Sequence, residues 1–204
     1  MPLKEYCVMI GGRPLIVFVA AVTLSACVSS GSRDSVSPKG SIRSALRICP
    51  GGGISNAPPT NDHGEVSRFT PIANISGVFL ARAPVNACIS SGFGPRRGGA
   101  GRFHYGLDLY TRSPSAIHAA GDGVIEEMKS QRGYGRTILI RHSGRVKTRY
   151  AHLSSYARGL RQGDHIRQGQ VIGLTGESGN ATAVHLHYEI IVNGKPRNPL
   201  TVGE

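Results

Sequence analysis

Between residues 184 and 192 the chain alternates strictly. Val184, Leu186, Tyr188, Ile190 and Val192 interleave with His185, His187, Glu189 and Ile191. A period of two in β-branched and aromatic residues predicts a strand, because successive side chains leave a strand on opposite faces. His185, His187 and Glu189 therefore share one face. At about 3.3 Å of rise per residue the two histidine Cβ atoms lie roughly 7 Å apart. One imidazole can then bind a metal ion while the other addresses a substrate. Short apolar runs set between Gly-rich turns recur from about residue 86: Val124-Ile125, Thr137 to Ile140, Arg149-Tyr150 and Val171 to Leu174. Helical pattern is scarce, with one turn expected at most over residues 154–158. The pattern predicts an all-β domain of antiparallel sheets, long enough to bury one core.

A second cluster is His104-Tyr105-Gly106-Leu107-Asp108, and His152 stands alone in Tyr150-Ala151-His152-Leu153. On a straight strand His104 and Asp108 would be about 13 Å apart. Gly98, Gly99, Gly101 and Gly106 argue against a helix here. Gly106 permits a bend or bulge that folds the two side chains together. Three protein ligands with one open position make a catalytic zinc site, whereas a structural site closes with four. His104, Asp108 and His187 would supply two neutral imidazoles and one carboxylate, leaving net positive charge at the ion. The duller alternative is a set of solvated strand histidines, and four such residues with an aspartate in comparable contexts weigh against it. His-Glu-x-x-His, Gly-x-Ser-x-Gly, a complete P-loop and Cys-x-x-Cys are all absent from the sequence.

With these residues in view, the chain resembles the lysostaphin-like (LytM-type) zinc metallopeptidases, which cut peptide bridges in bacterial peptidoglycan. The likeness extends in order through Ser90-Ser91-Gly92-Phe93-Gly94-Pro95-Arg96, His104 to Leu109, Ala119 to Ile125 and Gly133-Tyr134-Gly135. It continues through Tyr150 to Ser154, Gly169 to Gly173, His185 to Glu189 and Val192 to Pro196. It covers roughly residues 86 to 200. The resemblance implies a two-layer antiparallel β fold with zinc in a groove between loops. It implies that His104, Asp108 and His187 are zinc ligands, and that His152 and His185 are catalytic histidines moving protons in place of a Glu general base. It also implies peptidoglycan peptide stems as substrate. Ala183-Val184 stands where the family usually shows Gly-Pro, and residues 110–118 lack a customary Gly. Both departures touch loop geometry and remove no ligand. Family members that act as non-catalytic activators of wall amidases typically lose ligands; that role is the alternative reading. A plain metal-binding lipoprotein would need neither His152 nor His185. Glu189 is a candidate acceptor that orients an imidazole, or a solvent-facing carboxylate. His63, His118 and His165 lack partners at ligand spacing, and His142 reads as a turn residue.

The N-terminus reads as a targeting segment. Lys4 and Arg13 precede an apolar run from Leu15 to Val22, too short for an ordinary membrane span. Leu24-Ser25-Ala26-Cys27 resembles a bacterial lipobox, in which Cys27 is acylated and becomes the mature N-terminus. Either Met1 or Met9 serves as the start. An uncleaved anchor or ordinary secretion is the lesser alternative. Val28 after the cysteine resembles outer-membrane sorting, which would place the protein in the cell envelope on the periplasmic face of the outer membrane. Acyl burial contributes about 0.8 kcal/mol per methylene, so two or more chains anchor a protein stably to a membrane.

The expected organisation is a lipoprotein signal peptide over residues 1–26, a Gly/Ser/Pro-rich linker over 27–80 and the metallopeptidase domain over 81–204. Part of the linker near Phe69 to Ile72 is expected to pack on the domain. With Cys7 removed and Cys27 acylated, Cys49 and Cys88 remain in an oxidising compartment as a candidate disulfide, which would pin the linker to the first strand of the domain. The net charge of +12 suits a polyanionic partner. Nucleic acid is disfavoured, because no reading-helix motif occurs, aromatics are few and export removes the protein from it. The carboxylates of peptidoglycan fit a basic face equally well, as does a generic solvated surface.

Overall fold

A computed structural model describes residues 8–10, 13–15, 44–51, 54, 56–96 and 103–204. Two compact units are distinguished, residues 1–35 and 36–204. In the first, strand β1 (Val8–Ile10) pairs antiparallel with β2 (Arg13–Leu15). The lipobox, Cys27 and Cys7 lie outside the described residues. No helix among the described residues is long and apolar enough to cross a membrane.

The second unit contributes strands β3 (Ile72–Ile75), β4 (Val78–Ala81), β5 (Cys88–Ser91), β6 (Gly94–Pro95), β7 (Phe103–His104), β8 (Leu107–Tyr110), β9 (Ala116–His118) and β10 (Gly123–Gln131). It continues with β11 (Gly135–Arg141), β12 (Val146–Leu153), β13 (Ser155–Tyr156), β14 (His165–Ile166), β15 (Val171–Leu174), β16 (His185–Val192) and β17 (Lys195–Arg197). The main sheet runs β14-β10-β11-β12-β16-β8-β5, with β17 added to β16. A second sheet runs β13-β15-β9, and β3-β4 and β6-β7 are two-stranded. Every strand pairing is antiparallel. The fold is thus all-β, as the alternation predicts.

One core joins the two layers. Ile125, Ile138, Ile140, Tyr150, Leu186, Tyr188 and Ile190 of the main sheet pack with Ile117 and Ile172 of the second. β16 occupies the middle of the main sheet, between β12 and β8. Its Leu186, Tyr188 and Ile190 belong to the core, so the opposite row of His185, His187 and Glu189 faces away from it.

Two expectations need correction. The linker read over residues 27–80 is folded where it is described, over residues 44–51, 54 and 56–80. Leu46 is fully buried, the Val66 amide donates to the Leu46 carbonyl at 2.8 Å, and Ile48 bridges Ile89 in parallel. β3 and β4 form a hairpin whose Ala73, Ile75 and Leu80 enter the core. These apolar residues are too few and too irregularly spaced to show a period, and the surrounding Gly and Pro dominate the local pattern. Cys49 and Cys88 are disulfide-bonded and tie this strap to the start of β5. The helical turn expected over residues 154–158 is instead β13. The Ser154 amide donates to Leu174 O at 3.0 Å and the Ala157 amide to Ile172 O at 2.9 Å, so both amides pair across to β15 rather than along a helix.

Candidate metal centre

Three side chains that the sequence spreads over 84 positions converge on one point. In the β8–β16 register His187 lies opposite Asp108. His104 ends β7, and the chain turns through Tyr105 and Gly106 before β8 begins. The need for glycine at 106 is spatial. A Cβ there would meet the Tyr188 carbonyl oxygen at 2.6 Å and the His187 ring at 2.8 Å. The expected bend is present, and close packing against β16 accounts for the glycine.

His104 Nε2, His187 Nδ1 and Asp108 Oδ1 form a triangle. The separations are 3.0 Å between the nitrogens, 3.0 Å from His104 to the carboxylate and 2.8 Å from His187 to it. The other ring nitrogens are already used. His104 Nδ1–H donates to the Gly92 carbonyl at 2.6 Å, and His187 Nε2–H donates to Glu189 Oε1 at 3.1 Å. With those nitrogens engaged, each ring turns its remaining nitrogen toward the triangle, beside a carboxylate oxygen. Two buried imidazole nitrogens and a half-buried carboxylate oxygen facing one another are the donor set a cation satisfies. Two imidazoles and a carboxylate, each able to reach an ion at about 2.0–2.2 Å, fit zinc.

Charges around the triangle show the same deficit. Burial alone would raise the Asp108 carboxyl, but hydrogen bonds from His104 and His187 outweigh it and hold the group well below the usual carboxylate range. Burial alone would lower His187, yet its contacts with Asp108 and Glu189 push it up to about 9. Arg96 Nη2 donates to Asp108 Oδ2 at 2.8 Å, which leaves Oδ1 for the triangle.

Glu189 is fully buried. Besides the His187 contact it accepts Tyr134 Oη–H at 2.8 Å and Arg149 Nη1–H at 2.7 Å. Arg149 also sits 5.1 Å over the Tyr134 ring. The carboxylate thus orients His187 and is not solvent-facing. Burial, followed by the neighbouring Glu189 charge, pushes the Tyr134 phenol up to about 12.

His152 and His185 lie beside the triangle, ring centroids 4.7 Å apart. His185 Nε2 is 3.8 Å from Asp108 Oδ1, and its Nδ1–H donates to Ala183 O at 2.7 Å. His152 sits where two residues of β12 oppose one of β11, a bulge that re-aims its side chain. Its φ of 63° is in the left-handed region, uncommon for a non-glycine residue. The Tyr134 carbonyl accepts its amide at 2.9 Å, and the Ser178 carbonyl accepts its Nδ1–H at 2.8 Å. Burial drives His152 down to about 4. Each ring binds a backbone carbonyl through Nδ1 and so turns its Nε2 away from that anchor. All five residues border one open groove of about 710 Å³, whose walls include Phe103, Tyr105, Arg132 and Asn180.

His63, His118 and His165 take no part in this cluster. His142 is no simple turn residue: its ring lies 2.6 Å from Asp122 O and 2.7 Å from Thr148 Oγ1. Asn56 was not foreseen. Its carboxamide binds both backbone groups of Gly92, and no local pattern signals it.

Comparison with known proteins agrees with this geometry. The model of peptidase family M23 matches residues 102–199. The fold superposes on the catalytic domain of lysostaphin, an antimicrobial peptidase from Staphylococcus simulans, with a TM-score of 0.52 and 32% identity, over 56% of this chain and 90% of that one. The chain belongs to peptidase family M23. Another structural match is a zinc-containing peptidase from Vibrio cholerae, with TM-score 0.56 and 29% identity over 64% of this chain and 46% of that one. The peptidoglycan DD-endopeptidase ShyC of Vibrio cholerae is 42% identical over 118 residues, 56% of this chain and 27% of ShyC. The chain spans about a quarter of the length of such curated relatives, 23% and 27% in two cases.

Proposed function

We propose that this M23 peptidase is a zinc metalloendopeptidase that hydrolyses peptide cross-links of bacterial peptidoglycan. The observation carrying the reading is the acceptor triangle of His104, Asp108 and His187 beside two further imidazoles in an open groove. The zinc-containing structural match and the DD-endopeptidase relative support it. His104, Asp108 and His187 would hold the ion, which supplies Lewis-acid polarisation of a scissile carbonyl and activation of water.

The chain's own residues supply the rest. His152 and His185 aim their Nε2 atoms at the groove: one takes the proton from the attacking water and, as the imidazolium, delivers that same proton to the leaving amine, while the other accepts a hydrogen bond that orients the water. The anchors on Ser178 O and Ala183 O fix each ring in the required tautomer. Arg96 and Glu189 hold Asp108 and His187 in ligating orientation. The groove admits an extended peptide, and Arg132 on its wall offers a positive charge to a stem carboxylate. In the same reading Cys27 carries lipid and anchors the enzyme in the envelope, on the periplasmic face of the outer membrane.

Digestion of purified sacculi tests this. Wild type is expected to release new peptide ends. His104→Ala should lose zinc and activity together. His185→Ala should keep zinc and lose at least 100-fold in kcat, in line with the usual size of general acid–base effects. Release of no fragments by wild type, with stimulation of a separate amidase, would replace this reading with that of a non-catalytic activator.

A further inference from the structure

We propose that Asn56, in the disulfide-tied strap ahead of the family domain, is a positioning residue for the metal ligand His104. The inference rests on the reading of His104 as a ligand and goes beyond it, because residues 44–69 lie outside the stretch that matches the family model.

The argument begins at the Gly92 carbonyl. It accepts His104 Nδ1–H at 2.6 Å, and that bond fixes the tautomer whose Nε2 lone pair enters the acceptor triangle. A carbonyl can hold an imidazole only as firmly as its own peptide plane is held. Gly92 follows β5 directly and lies outside any strand ladder. Asn56 supplies the missing pairing. Its Oδ1 accepts the Gly92 amide at 3.1 Å, and its Nδ2 donates to the Gly92 carbonyl, so one carboxamide grips both polar groups of one residue as a neighbouring strand would. The Gly92 oxygen, with two lone pairs, thus serves Asn56 and His104 together.

Two further observations place the strap as a built part of the centre. A Cβ at residue 92 would collide with the Asn56 carbonyl oxygen, so glycine there is what lets the strap approach. Ser91 Oγ lies 3.4 Å from Asn56 Oδ1 and 3.3 Å from His104 Nδ1, and it accepts Arg96 Nη2–H at 2.9 Å while the same nitrogen holds Asp108. Asn56 therefore meets the supports of two ligands. The strap itself is fastened by the Cys49–Cys88 bond and by the Cys49 amide donating to Ile89 O at 3.0 Å.

The test is the zinc dissociation constant of the full chain, measured by competition with a chromophoric chelator, alongside thermal unfolding of the zinc-free protein. Groups that orient ligands typically contribute about 10- to 100-fold in affinity, and Asn56→Ala is expected to weaken zinc binding by that amount. Asn56→Asp keeps the acceptor for the Gly92 amide and the side-chain volume but sets a carboxylate oxygen against the Gly92 carbonyl. It should bind zinc at least as weakly as Asn56→Ala, which keeps the proposal open to refutation should the alanine variant fail to fold. Asn61→Ala is the control. Asn61 caps a turn of the strap through the His63 and Glu65 amides and does not touch the centre, so its variant should bind zinc within about twofold of wild type. With zinc in large excess, Asn56→Ala should recover the wild-type kcat on sacculi. Tight binding by both Asn56 variants, or equal weakening in Asn61→Ala, overturns the proposal. Failure of wild type to bind zinc removes the reading beneath it, and the two failures are told apart by the wild-type measurement alone.

Discussion

At the residue scale the site is a set of imidazoles sorted by what their second nitrogen meets. His104 and His187 each spend one nitrogen on an acceptor and turn the other to Asp108. His142 and His152 are held neutral by burial, both below the ordinary histidine value, His152 at about 4. A histidine depressed in the folded state contributes stability that is present above its unfolded value of about 6.5 and is lost as pH falls toward the folded value. The zinc-free protein should therefore lose stability between pH 6.5 and 4. In His142→Gln and His152→Gln that loss should be smaller, measured as unfolding free energy in urea at pH 7.5, 5.5 and 4.5. An equal loss in wild type and both variants would contradict the assignment. Spacing around Gly106 and the period of two at His185 made the ligand set legible in the sequence. The tautomers were not legible, because they depend on the Gly92 carbonyl and on a buried Glu189, both set by tertiary packing.

At the scale of elements, β16 carries the design. Its central place in the sheet buries both faces, so the row opposite the core can hold Glu189 in a fully buried position. Burying that carboxylate is tolerable because three donors from β16, the β10–β11 turn and β12 satisfy it. Replacing Glu189 by Gln removes the charge while keeping the shape. Zinc affinity should fall by about tenfold or more, read in the same chelator competition, and Arg149 should lose its ion-pair partner. Unchanged affinity would mean that Glu189 serves packing alone. The strand itself was readable from alternation. Its pairing of Arg149 with Glu189 was not, since register between β12 and β16 follows from contacts distant in sequence. β13 is hidden from the sequence for the same reason: Ser154 and Ala157 are claimed by β15, whose approach no local window shows.

For the second unit as a whole, the strap changes what counts as the domain. Gly- and Pro-rich composition made residues 27–80 read as tether, yet Leu46, Ala73 and Leu80 are core residues. The Cys49–Cys88 bond closes a loop with a sequence separation of 39. Chain-entropy reasoning for such a loop gives about 4 kcal/mol, so the Cys49→Ser/Cys88→Ser double variant should lose stability of that order by denaturant unfolding. A loss under 1 kcal/mol would show the strap to be held by packing alone.

The central claim is that His104, Asp108 and His187 form one cation site with His185 outside the ligand set. Metal content of the purified chain, by mass spectrometry of the native protein, tests it most directly. One zinc per chain is expected in wild type and in His185→Ala, and none in His104→Ala, Asp108→Ala or His187→Ala. A wild-type chain without stoichiometric metal, or an Asp108→Ala chain that retains it, would contradict the account.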